Sequence, residues 1–190
     1  MRRELVEGAL LFAPLVAGYV LHGLSMKYGW FRFLAFPIDA GACLRGKRLF
    51  GDNKTYRGIV VIAMGASAAY GLLSAFAGDS TFPHLQGLPH GVASMAFGFT
   101  FGAAAMAGEL PNSLIKRQLG IQPGSQTTGI KGWVFHLLDQ VDVLAGGWIV
   151  LAFAVTPTVG LTLGSLLFIY FGHQIVTVVG HRLGMRATPR

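Results

Sequence analysis

The chain has 190 residues, of which 53% are hydrophobic and only 12% charged, with mean hydropathy +0.55. Soluble domains carry about 25% charged residues, so the composition excludes an ordinary water-soluble globule and indicates a polytopic membrane protein. One cysteine, Cys43, excludes an internal disulfide or a thiolate metal cluster. The net charge of +7 sits in loops between apolar spans, which favours a membrane surface with anionic lipid over nucleic acid.

The first apolar stretch, 5–24, reaches the roughly 20 residues a membrane helix needs. Met1-Arg2-Arg3 precedes it as in a signal peptide. Glu4 and Glu7, the length and the lack of a small-x-small cleavage site read instead as a retained span, with Cys43 beyond it as a small filler. The loop 25–58 holds Phe36-Pro37-Ile38-Asp39-Ala40-Gly41 and then a run from Gly46 to Gly58. Gly46, Gly51 and Gly58 permit tight turns beside a ligand, and Lys47, Arg48, Lys54 and Arg57 suit anionic head groups or a triphosphate. Asp52-Asn53 follow Gly51 where a P-loop needs Lys-Ser/Thr, so the spacing is not a P-loop. A polybasic loop drawn to anionic lipid is the plainer alternative. The second span is 59–77. The loop 78–90, with Pro83, Pro89, His84 and His90, reads as an external turn rather than a metal site, and His22 and His173 read as interhelical hydrogen-bonding groups.

The third stretch, 92–107, is short for a span and ends beside Glu109. Ionisable groups at membrane depth are costly and usually pair or line a functional cavity. Pro111 predicts the start of a new helix on which Ser113 and Lys116, three apart, share a face, with Arg117 adjacent. A hydroxyl, an ammonium and a guanidinium together suit phosphate oxygens; a bare topology signal is the alternative. Asp139 and Asp142, also three apart, repel one another unless a cation intervenes, and magnesium is the natural candidate. The alternative is a carboxylate pair at the N-terminus of the fourth helix, stabilised by its dipole. His136 is read as packing at the interface in preference to acting as a base. The fourth span, 143–155, gains length only by running through Thr156-Pro157 to 159, and the fifth is 160–180.

The expected fold is therefore all-α: a polytopic integral membrane protein of about five helices, one membrane-embedded domain over 1–190, with functional loops at about 25–58 and 108–142. Lysine and arginine number seven in 25–58, none in 78–90, three in 108–142 and three after 180. The positive-inside rule then puts thirteen of the fifteen cations on the cytoplasmic side, with the N-terminus outside and the C-terminus inside the cell membrane.

Taken together, PIDAG, GKRLFGDNKTYRG, GELPNSLIKRQLGIQPG and LDQVD resemble the archaeal CDP-archaeol synthases, relatives of the phosphatidate cytidylyltransferases, over about 37–142. The resemblance implies an enzyme that uses CTP and magnesium, with two ions expected. A lipid phosphate would attack the α-phosphorus of CTP, giving a CDP-activated lipid and pyrophosphate. It implies that Asp139 and Asp142 hold the metal, with Glu109 as a further metal position where the family is expected to carry Asp. Lys54 and Lys116 join the aspartates as catalytic positions, and Ser113, Arg117, Arg48, Asp52, Thr55, Arg57, Pro123 and Gly124 become substrate-binding positions. Gln140 stands where the broader phosphatidate branch has Arg, which favours the archaeal type. Phosphatidate remains an alternative substrate. A small transporter would place its ionisable groups nearer the midplane of its spans, and a non-catalytic scaffold would not need Glu109, Asp139 and Asp142 together. The expected partners are CTP, a lipid phosphate and the surrounding lipids, with a homo-oligomer left open.

Overall fold

A computed structural model describes residues 1–76, 81–123, 125 and 129–182. The first span is the pair α1 (Arg2–Phe12) and α2 (Pro14–Tyr28), broken at Ala13 because Pro14 offers no backbone N–H. Gly29, at φ 69°, closes α2 in the left-handed cap conformation that glycine adopts without penalty. A short hairpin follows, β1 (Cys43–Leu44) paired antiparallel with β2 (Lys47–Arg48). Its two turn residues, Arg45 and Gly46, both have positive φ, as a tight turn matched to strand twist requires. Then come α3 (Tyr56–Phe76), α4 (Val92–Gln118), α5 (Gly129–Leu151) and α6 (Val159–Arg182).

Four segments are long and apolar enough to cross a membrane: Arg2–Tyr28, Tyr56–Ala75, Gly129–Leu151 and Val159–Val176. With the 27-residue α4 they form a multi-pass, all-helical membrane protein of about five spanning helices. Two boundaries differ from the sequence reading. Pro111 starts no new helix; α4 runs straight through it to Gln118, a placement that membrane helices tolerate when neighbours re-satisfy the backbone. The fourth span begins at Gly129, not 143, and ends at Leu151 without continuing through Pro157. Most of 108–142 is thus helix, and Asp139 and Asp142 lie in mid-helix, which removes the helix-dipole reading of that pair. Gly58 is likewise helical and makes no turn, and Cys43 stands exposed in β1 instead of filling space.

Helix α3 packs between α2 and α4, α4 packs on α5, and α1 packs on α6. Lipid tails are as apolar as leucine, so the contacts rely on close van der Waals approach at small residues. A Cβ on Gly65 would lie 2.6 Å from the Cα of Gly18, and one on Gly102 would lie 2.8 Å from the Cα of Ala63. At the centre Phe12 and Tyr70 each meet Phe101 edge-on, at 5.2 and 5.1 Å, and the buried Tyr70 hydroxyl donates to the Leu11 carbonyl (2.6 Å).

The loop expected to be a plain turn is anchored. Glu7 of α1 is fully buried; the His84 N–H donates to its Oε1 (2.9 Å), and His84 Nδ1 lies 2.7 Å from its Oε2. Glu4 accepts from the Thr158 hydroxyl (2.9 Å), so both early acids tie together the end of the bundle away from the hairpin.

Candidate active site

Asp39, inside PIDAG, organises the first loop. Its side chain is buried and accepts from Arg48 Nη2 (2.6 Å) and from the backbone N–H groups of Phe50 (2.9 Å), Gly51 (3.1 Å) and Gly41 (3.1 Å). The Arg48 guanidinium, and after it those backbone donors, hold the Asp39 carboxyl well below the usual carboxylate range. Arg48 also pairs with Asp52 (2.8 Å), and the two acids raise the guanidinium above its ordinary value. Arg48 and Asp52 are thus tied into the loop's own hydrogen-bond network. Thr55 caps α3, its hydroxyl accepting from the Gly58 N–H (3.2 Å).

This loop is fastened to the end of α4. Lys47 Nζ donates to the Gln118 carbonyl (2.6 Å), Arg117 Nε donates to the Phe50 carbonyl (3.2 Å), and Arg117 Nη1 donates to the Ile121 carbonyl. Gly51, at φ 88°, lies where a Cβ would come within 2.9 Å of the Pro123 ring. Lys54 forms an ion pair with Glu109, whose other oxygen lies 3.5 Å from the Tyr19 hydroxyl. The first loop and residues 108–123 thus meet at one candidate site.

Its far wall is α5. Gly108 and Gly146 bring the two helices into backbone contact: a Cβ on Gly108 would strike the Asp142 carbonyl and lie 3.0 Å from the Gly146 Cα, and one on Gly146 would strike the Ala104 carbonyl. One turn beyond Gly108, Asn112 faces both aspartates. Its Nδ2 donates to Asp139 Oδ1 (2.6 Å) and to Asp142 Oδ2 (2.9 Å). Lys116 Nζ reaches Asp139 Oδ1 (2.5 Å) while lying 5.4 Å from the Phe135 ring centre.

Between these walls lies a cavity of about 480 Å³. Lys54, Thr55, Glu109, Ser113, Lys116, Arg117, Asp139 and Asp142 line it together with Tyr19, His22, Gln140 and His173, and apolar side chains such as Leu15, Ile62 and Phe168 complete it. Arg48, Asp52, Arg57 and Pro123 are not among its lining residues, and Gly124 lies outside the described residues. His173 Nδ1 meets Gln140 Nε2 at 3.1 Å between α6 and α5, the interhelical bond expected of it. His136 packs edge-on against Trp133 and Tyr170, away from the cavity. Asn112 was not singled out from the sequence. It falls three residues after Glu109 and four before Lys116, which puts all three on one helical face.

Among the described residues no three His, Cys, Asp or Glu side chains gather into a metal site. The Asp139–Asp142 pair, an oxygen-only donor set joined through one amide, still fits a magnesium ion, which takes one or two carboxylates and completes its shell with water and phosphate oxygens.

A multi-pass helical bundle with a charged cavity framed by a polar loop marks a polytopic membrane protein with a site for a polar ligand. The family model described as CarS-like CDP-archaeol synthase matches residues 18–189. Among curated proteins, the CDP-archaeol synthase of Halobacterium salinarum is 31% identical over 80% of this chain and 82% of its own length. That of Pyrococcus furiosus is 31% identical over 65% and 72%, and that of Halorubrum lacusprofundi 29% over 95% and 96%. A solved structure of an intramembrane enzyme for archaeal membrane lipids biosynthesis shares the fold, with TM-score 0.64 at 24% identity over 92% of this chain and 94% of that one. The chain belongs to the CDP-archaeol synthase family, and it is an enzyme of the cytidylyltransferase type.

Proposed function

We propose that the protein transfers CMP from CTP to a membrane lipid phosphate of the archaeal diether type, with magnesium, releasing pyrophosphate. The observation that carries the reading is the convergence of Lys54, Lys116 and Arg117 with Asp139 and Asp142 on one cavity whose remaining wall is apolar. Cations there suit a triphosphate, and the apolar wall suits the lipid. The names of the matched relatives, CDP-archaeol synthases, point to the same product class.

In this reading the lipid phosphate oxygen forms a bond to the α-phosphorus of CTP, and the bond from that phosphorus to the β-phosphate oxygen breaks. Asp139 and Asp142 would hold magnesium, which when bound would supply charge neutralisation for the phosphates. Lys116 and Lys54, each paired with a carboxylate in the structure, take up the charge of the triphosphate and the departing pyrophosphate. Ser113, on the Lys116 face of α4, orients a phosphate oxygen. The Arg117 clasp on Phe50 and Ile121 keeps the loop closed over the site. The site opens to the cytoplasm, where CTP is available, in keeping with the positive-inside count.

The test is purified protein with magnesium, labelled CTP and a panel of diether and diacyl glycerol phosphates, read as label in the organic phase. Transfer to the diether phosphate in preference to the diacyl one is the expected result. Transfer to neither overturns the reading, and a preference for the diacyl lipid reassigns the substrate.

A further inference from the structure

The Asn112 side chain is buried, 6% exposed, and only half satisfied. Its nitrogen donates to both aspartates, at 2.6 and 2.9 Å, while its oxygen, Oδ1, is buried and has no hydrogen-bond partner among the described residues. A buried acceptor without a donor is costly, and native structures keep few of them without reason. Asn112 is also held in place: Gly108, one turn earlier, brings the α4 backbone against α5 beside Asp142. The NH2 group therefore stands between two carboxylates, where a cation belongs. The two ends of an amide have nearly the same shape, so a half-turn about Cβ–Cγ exchanges nitrogen for oxygen with little disturbance. A divalent ion between the aspartates would repel the NH2 dipole and attract Oδ1, and the same half-turn would satisfy the orphaned oxygen. Side-chain amide oxygens are established ligands of hard divalent cations.

We infer that Asn112 is a third oxygen ligand of the divalent ion, its nitrogen donating to the aspartate pair as seen here and its side chain turning over to offer Oδ1 to a bound ion. The inference rests on the reading that Asp139 and Asp142 hold that ion. The competing role is a clamp that only stabilises the metal-free aspartates, and the two roles differ in sign. Removing a ligand weakens metal binding. Removing a clamp that competes with the ion strengthens it.

The test uses Mn2+ as probe on the purified full chain in detergent without nucleotide, following free Mn2+ by electron paramagnetic resonance. Wild type is compared with Asn112→Ala, Asn112→Asp and the double variant Asp139→Asn/Asp142→Asn. We expect Asn112→Ala to weaken Mn2+ binding by about 10- to 100-fold, the range seen when a metal site loses a supporting contact. Asn112→Asp, which keeps an oxygen at that place, should bind at least as tightly as wild type. Mn2+ affinity in Asn112→Ala equal to or tighter than wild type overturns the inference while leaving the aspartate site intact. If Asn112→Ala elutes as aggregate on size exclusion, Asn112→Asp decides: affinity weaker than wild type overturns it. Wild type binding no better than the double aspartate variant removes the metal reading itself, and this inference with it.

Discussion

Gly108→Ala adds a single methyl group at the point where α4 meets α5. That methyl would strike the Asp142 carbonyl and sit 3.0 Å from the Gly146 Cα and 3.1 Å from its nitrogen. Carbon atoms settle at about 3.5–4.0 Å, so the helices must part by about 0.5–1 Å. All of the obstructing atoms are backbone, so no side chain can swing aside. Overpacking of this kind costs about 1–3 kcal/mol, and the better helix propensity of alanine returns up to about 1 kcal/mol. The net loss of stability is therefore small, and the variant should fold. The separation falls across the Asn112 bridge to Asp139 and Asp142, whose hydrogen bonds now span 2.6 and 2.9 Å. A displacement near 1 Å in a catalytic array costs about 100-fold in rate. CMP transfer measured with labelled CTP in detergent, alongside a thermal melt of the same sample, should show kcat lowered by about 10- to 100-fold with the melting transition lowered by only a few degrees. Wild-type kcat in Gly108→Ala would refute the claim that backbone contact at this glycine sets the site.

Asp139→Asn should lower turnover by about 10²–10³-fold, the scale of removing a preorganised electrostatic contact, with the fold intact by size exclusion; full activity would remove Asp139 from the site. Asp39→Asn should speed hydrogen exchange at the Gly41, Phe50 and Gly51 amides, whose acceptor it weakens. Because the folded Asp39 carboxyl is held below its unfolded value near 3.9, its contribution is fully present above that pH and is lost as pH falls through its lower folded value. Wild-type protection of these amides should therefore be level from pH 7 down to about 4 and fade only in stronger acid, and fading at pH 5–6 would contradict the assignment. His84→Ala should lower thermal stability by about 1–3 kcal/mol, because it strips one of the partners from the buried Glu7 carboxylate. It should leave kcat unchanged, as His84 lies at the other end of the bundle.

The site was legible in the sequence to the extent that its chemistry is carried by charge. Asp139 and Asp142 at three-residue spacing, Lys116 with Ser113, and the basic loop before α3 announced themselves against a background in which charges are rare. The predicted topology put both segments on one side of the membrane, and the Lys54–Glu109 and Lys47–Gln118 contacts bring them together. Helix boundaries were less legible for the same reason. Two aspartates in the middle of α5 depress local hydropathy, so the apolar run around Trp133 and Phe135 looked like loop. Pro111 looked like a helix start because a proline normally breaks the ladder behind it. Asn112 carried no charge and sat next to that proline, so nothing in its identity marked it. Only its place on the Glu109–Lys116 face did. The pairing of Arg48 with both Asp39 and Asp52 was hidden because it depends on the hairpin turn, which spacing alone does not reveal.

The central claim is CMP transfer to a lipid phosphate, and paired reactions with CTP labelled at the α- or the γ-phosphorus test it most directly. We expect the α label to enter the organic phase one for one with pyrophosphate released, and the γ label to remain aqueous. Appearance of the γ label in the lipid would mean phosphoryl rather than nucleotidyl transfer and would contradict the proposed reaction.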